Sequence, residues 1–149
     1  MRTHYNPKNN PRVIIIQKLY GKFYNEDDDL DFPKHRFKKF IKDIVLGTIE
    51  RNDLILDELN NKLGDEFVFE KLDKVFQTIL KAATYEFMYK PNLSINIIIK
   101  EYLNSSNFFL EDSQTKYLNS SNFFLEDSQT KYLNALLDNV GKKLRTSNA

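Results

Sequence analysis

Few side chains in this 149-residue chain could carry out chemistry. There is no cysteine, which removes thiolate metal ligands, cysteine nucleophiles and disulfides, and fits a reducing compartment. His4 and His35 are the two histidines, and neither stands at a spacing that would join it to carboxylates in a zinc site. The acidic run Asp27, Asp28 and Asp29 lacks the glycine and terminal glutamate of a calcium loop, so it reads as a solvated turn. The phosphate loop, GxSxG and GxGxxG are all missing. We therefore expect no metal, no cofactor and no enzyme activity.

Binding chemistry is better represented. Residues 1–42 hold ten Lys/Arg against five acids, all five within EDDDLD (26–31), while residues 43–149 hold twelve basic and sixteen acidic groups. The net charge of +1 is thus +5 at one end and −4 over the rest, and the basic end should attract polyanions. Across residues 1–25, Arg2, Lys8, Arg12, Lys18 and Lys22 meet no acid and interleave with His4, Tyr5 and Tyr20. Single-stranded RNA is held by such a mixture, cations taking phosphates and aromatic faces taking bases. The candidate RNA contacts are Arg2, Lys8, Arg12, Lys18, Tyr20, Lys22 and, further along, Lys131. His35, inside KHRFKK, adds to a basic surface. The competing reading is plain solvated charge, with Tyr20 on the apolar arc of its helix.

The elements that must position these groups are helical. Only four glycines and four prolines occur, and the prolines sit at helix starts or in connections. Asn10 and Pro11 open a helix in which Val13, Ile16, Leu19, Tyr20 and Phe23 recur at helical spacing, with Lys18 and Lys22 on the other side. Ile14 and Ile15 fall near that polar side and need cover. A second helix is expected from Pro33, burying Phe37, Phe40, Ile41, Ile44 and Val45, and after a break near 51–53 Leu54, Ile55, Leu59 and Leu63 extend the apolar face. The periodicity of Leu72, Val75, Phe76, Ile79, Leu80, Ala83 and Phe87 marks a strong helix ending at Lys90-Pro91. Ser94 can cap the next one, although INIII is β-branched enough to compete as a strand. The last helix is expected from about Ser128. The fold class is all-α, a compact bundle of six to seven helices forming one RNA-binding domain over 1–149, with a flexible basic arm at 1–10. No apolar run is long enough to span a bilayer and MRTHYNPKNNPR lacks a signal-peptide core, so a cytoplasmic protein without membrane contact is expected.

Five pieces in order resemble the NusB family of transcription antitermination factors. Arg12, Gln17, Leu19 and Tyr20 match an arginine, an apolar run and Q-x-L-Y; DIVLG (43–47) matches an apolar pair, x and glycine. Ile79, Leu80, Lys81, Ala83, Tyr85, Glu86 and Phe87 match I-L-R-x-A-x-Y-E-L, and Ile99, Lys100 and Glu101 match I-N-E. Tyr132, Leu133, Asn134, Ala135, Leu137 and Asp138 match F-V-N-G-x-L-D. The resemblance covers most of residues 11–145. It implies an all-helical protein without catalytic activity that binds boxA RNA together with the ribosomal protein NusE, joins the RNA polymerase antitermination complex and promotes read-through in rRNA operons. It implies RNA contact at the arginine-rich amino end, and a partner surface near Glu70 and Asp73, whose acids suit a basic protein. Here PKNNPR replaces the usual run of arginines, which predicts weaker RNA binding alone and greater dependence on the partner. Two alternatives are a helical interaction module that has lost RNA binding and the RNA-binding module of an rRNA-modifying system.

Residues 102–116 recur letter for letter as 117–131, and a third YLN follows at Tyr132. Two copies do not make a stacked repeat architecture. One copy suffices for the family pattern, so 117–131 reads as a duplicated insertion before the last helix. Fifteen residues added to one helix would turn its apolar face by about 60°. The insertion is therefore expected to loop out, with the first copy ending one helix and the second starting the next.

Overall fold

A computed structural model of the chain describes residues 9–25, 30–117 and 122–146, with side chains for all of these except 110–117 and 122–127. Six α-helices follow one another among the described residues: α1 (Pro11–Tyr24), α2 (Lys38–Glu50), α3 (Asn52–Leu63), α4 (Lys74–Tyr89), α5 (Ile95–Tyr117) and α6 (Asn122–Thr146), with a 3-10 turn at Phe69–Lys71 before α4. No strand occurs among the described residues, so the all-α expectation holds. The β-branched run at 95–99 is helical: Ser94 Oγ accepts from the Ile97 amide at 3.1 Å, and Ile98, Ile99 and Tyr102 point inward while Ile97 stays exposed. No helix among the described residues is long and apolar enough to cross a membrane.

Helix α4 is the axis of the bundle. Every side chain from Phe76 to Phe87 is buried, and α4 touches each of the other helices. An apolar core to which all six helices contribute surrounds it. One element buried all round must accept polar residues inside, and α4 carries Gln77, Thr78, Lys81, Thr84 and Glu86 there. Close approach is needed on one side above all. Gly47 of α2 lies against the Tyr85 ring so tightly that a methyl group there would fall inside it. The Tyr85 hydroxyl donates to Asp43 at 3.1 Å, and Lys90 pairs with the same carboxylate. Those two donors, Lys90 foremost, hold Asp43 below the usual carboxylate range, while burial and then Asp43 itself push Tyr85 up to about 12.

Helix α1 is covered on more sides than its pattern shows. Asn10 caps it, its side chain accepting from the Arg12 amide at 2.8 Å, and Pro11 takes the first position. Packing against α2, α4 and α5 buries Ile14 and Ile15 along with Val13, Ile16 and Leu19. Arg12 is buried with them, 7% exposed. Its Nε and Nη2 donate to both oxygens of Glu86 at 3.1 and 2.6 Å, and the guanidinium lies 5.1 Å from the Phe40 ring and 5.4 Å from that of Tyr102. Burial opposes the charge on Arg12, but the carboxylate outweighs it and the pKa rises.

Three expectations shift. Helix α2 begins at Lys38 rather than Pro33, because His35 uses Nδ1 to accept from the Phe37 amide at 2.9 Å and Nε2 to bond the Asn9 carbonyl at 2.7 Å, holding 33–37 as a turn against the start of α1. Phe37 and Leu54, both expected inside, are 46% and 44% exposed. Helix α6 starts at Asn122, six residues before Ser128, so residues 122–131 of the duplicated segment are helical rather than looped out, while 118–121 lie outside the described residues. The first copy lies wholly within α5, and residues 122–131 of the second open α6. Growth at the far ends of both arms leaves Tyr102 and Leu133, each 0% exposed, in the core without rotating either apolar face. Identical words meet different surroundings: Tyr132, in the third YLN, is 50% exposed.

The end of α6 is fastened to the exit of α4. Arg145 donates from Nε to the Phe87 carbonyl (3.2 Å), from Nη1 to that of Leu93 (2.5 Å) and from Nη2 to that of Lys90 (3.0 Å). The Phe87 and Lys90 oxygens are ones that the end of α4 leaves without intrahelical donors, and Leu93 belongs to the turn that follows it.

Lys81 is a cation buried at a cost. It is 6% exposed, with its ammonium 3.7 Å from the centroid of Phe23 and 5.4 Å from that of Phe69, and desolvation lowers its pKa to about 8 despite the attraction of Asp53. The unfolded chain, with an ordinary lysine, binds more protons above pH 8, so stability rises as pH climbs from about 8 towards 10. Urea titrations at pH 7.5 and 9.5 should show that gain, about 1–2 kcal/mol after discounting the cation–π attraction that favours the charged form. Lys81→Met should be more stable at pH 7.5 and should lose the slope.

Candidate nucleic-acid interface

The exposed part of α1 is its C-terminal half. Tyr20, 38% exposed, tilts against Tyr24 with ring centroids 5.1 Å apart, the pair formed by their i, i+4 spacing. Tyr24 donates its hydroxyl to the Gln77 side chain, and the Lys74 ammonium stands 5.3 Å from its ring. Burial above all raises the Tyr24 pKa, which keeps that donor protonated. Tyr20 and the head of α4 form an open cleft of about 480 Å³, with Asp73, Lys74 and Phe76 on one side and Phe109 of α5 and Gln129 of α6 on the other walls. Asp73 is the α4 cap, accepting from the Val75 amide at 2.8 Å, so it already has a structural task. The cleft offers an accessible ring, an ammonium and an amide within one concave surface.

The sequence-based candidates divide. Tyr20 and Asp73 come together in the cleft. Glu70 is exposed on the 3-10 turn, and Lys131 is exposed on α6, two residues beyond Gln129 of the cleft. Lys18 and Lys22 are half-buried on α1, about 160° around the helix from Tyr20 at 100° per residue, so cations and ring that interleave in sequence lie on opposite sides. Arg12 must be withdrawn as a surface contact, since its guanidinium is bonded to Glu86 in the core. Arg2 and Lys8 lie outside the described residues; of the arm expected over 1–10, Asn9 and Asn10 are fixed by His35 and by the cap. Tyr24 and Lys74 were missed, although the spacing of Tyr24 from Tyr20 was visible. No group of three or more His, Asp or Glu that could hold a metal ion occurs among the described residues.

Residues 9–121 match the sequence model of the NusB family. The chain belongs to the NusB family. The transcription antitermination protein NusB of Carboxydothermus hydrogenoformans is 30% identical over 115 residues, 68% of this chain and 79% of that protein. That of Maricaulis maris is 25% identical over 97 residues, 56% of this chain and 61% of that protein. A solved structure of T. maritima NusB superposes with a TM-score of 0.65 at 20% identity, covering 93% of each chain, which shows the shared NusB fold. The family match ends at residue 121, inside the second copy of the duplication. Two of the resemblances found in the sequence also turn out to be contacts: Arg12 of the first piece bonds Glu86 of the third, and Gly47 of the second packs on Tyr85 of the third. Much of what marks the chain as NusB-like is therefore bundle interior.

Proposed function

We propose that this chain is an RNA-binding antitermination factor that takes boxA-type single-stranded RNA together with the ribosomal protein NusE and acts in the cytoplasm within the RNA polymerase antitermination complex. Family membership over residues 9–121 carries the reading. The cleft supports it: Tyr20 gives a base a face to stack on, Lys74 stands where a phosphate could be met, and Gln129 offers an amide to a base edge, while Lys131, about 160° around α6 from Gln129, adds a cation outside the cleft. Lys18 and Lys22 supply a further cationic face across α1. Glu70 and Asp73 present acids to a basic partner. Nothing in this scheme needs a reacting group; the protein works by holding two other molecules.

Fluorescence titration of labelled boxA RNA, with and without NusE and at two salt concentrations, tests it. Tyr20→Ala should weaken binding by about 1–3 kcal/mol with little change in salt slope, whereas Lys131→Gln should reduce the slope by about 0.7. Asp73→Asn keeps a capping oxygen and should leave stability nearly unchanged while weakening NusE binding. A second reading, a NusB-like interaction module without RNA affinity, gains from the withdrawal of Arg12 into the core. RNA that fails to bind even in the presence of NusE would establish that reading instead.

A further inference from the structure

The turn before α2 and its first residues carry Lys34, Arg36, Lys38, Lys39 and Lys42, all exposed, with no acid between Asp31 and Asp43. None of the five has an ion-pair partner among the described residues. The placement works against the helix itself. α2 has no side-chain cap and no acid in its first turn, and Lys38 and Lys39 sit there against the positive end of the helix dipole. Phe37, the residue preceding the helix, is 46% exposed, with the Arg36 guanidinium 5.3 Å from its ring and the His35 ring tilted beside it at 6.0 Å. An exposed ring amid cations that have no ion-pair partner among the described residues is the combination that holds a single strand, phosphates on the cations and a base on the ring. One isolated ring is too little for a membrane surface to grip. His35, bonded to the Asn9 carbonyl, fixes the patch next to the start of α1.

We infer that the head of α2 is a second RNA contact, in which Lys34, Arg36, Lys38, Lys39 and Lys42 take backbone phosphates and Phe37 stacks one base outside the Tyr20 cleft. The inference rests on the RNA-binding reading above and extends the RNA track beyond the cleft. It accounts for two otherwise unfavourable features, the exposed phenylalanine and the lysines at the wrong end of a helix.

The test uses the full chain with NusE and a fluorescein-labelled boxA RNA extended by uridines on both sides. Replacing Lys34, Arg36, Lys38 and Lys39 together by Gln should lower the salt slope by about 2–3, at roughly 0.7 for each phosphate no longer neutralised. Phe37→Ala should weaken binding about 5- to 150-fold with the slope kept. The quadruple variant should melt no lower than the parent, because charges unfavourable to the dipole have gone, and a variant with Arg at all four positions should retain the slope. Unchanged slope and affinity in the Gln variant, with Tyr20→Ala still weakened, would overturn this inference and leave the cleft reading standing. Loss of NusE binding with RNA binding intact would make the patch a protein contact and overturn it too. If the parent chain binds no RNA, both readings fall together.

Discussion

An Arg12→Ala chain is expected to lose about 3–5 kcal/mol of stability, a large share of the roughly 5–15 kcal/mol that holds a domain together. The loss comes less from the missing attraction than from what is left behind, a Glu86 carboxylate at 0% exposure with neither of its two guanidinium donors. Replacing both partners by apolar residues of similar size, Arg12→Met with Glu86→Leu, removes the charge together with its counter-charge and should recover most of the loss. Urea unfolding of the two single variants and the double variant measures the coupling. A cost below about 1 kcal/mol for Arg12→Ala, the range of exposed pairs, would show that the guanidinium lies in solvent and would return Arg12 to the RNA-contact candidates.

Gly47→Ala should lower stability although it replaces the poorer helix former. Propensity favours alanine inside a helix by about 1 kcal/mol. Against that, the added methyl collides with the Tyr85 ring, which is itself 5% exposed and wedged between α2 and the interior of α4. Moving the ring forfeits much of its burial, about 1.5–3 kcal/mol for a side chain of this size, and strains the hydrogen bond to Asp43. A net loss of about 2–3 kcal/mol follows, or some 5–10 °C in Tm for a chain of this length. Tyr85→Leu in the same chain should remove the conflict and much of the loss. A Gly47→Ala variant that melts at or above the parent temperature would contradict the close approach.

Helical periodicity made the bundle legible, and the caps at Asn10 and Ser94 were readable from residue type alone. What stayed hidden had tertiary causes. Ile14 and Ile15 are out of place on a helix with one buried face, and become ordinary once α2, α4 and α5 all lie against it. Arg12 counts as a cation in any tally of charge, yet its partner is 74 residues away in sequence and invisible to spacing rules. The late start of α2 depends on a histidine that reaches another segment. In the candidate interface, Tyr20 was legible as an aromatic among cations, whereas its separation from Lys18 and Lys22 needed the helix, and its neighbourhood with Asp73 and Lys74 needed the fold. The doubled segment divides between two helices as its pattern suggests, the first copy within α5 and the second opening α6, but α6 begins at Asn122 rather than Ser128, so residues 122–127 are helix rather than loop.

The threefold grip of Arg145 on the carbonyls of Phe87, Lys90 and Leu93 bears on how the molecule opens. Helix ends ordinarily fray one at a time, exchanging their amide hydrogens long before the interior does. Here the last turn of α6 and the exit from α4 share a single fork of donors, so loosening either one breaks the same three bonds, and the two helix ends are expected to open together as one cooperative latch.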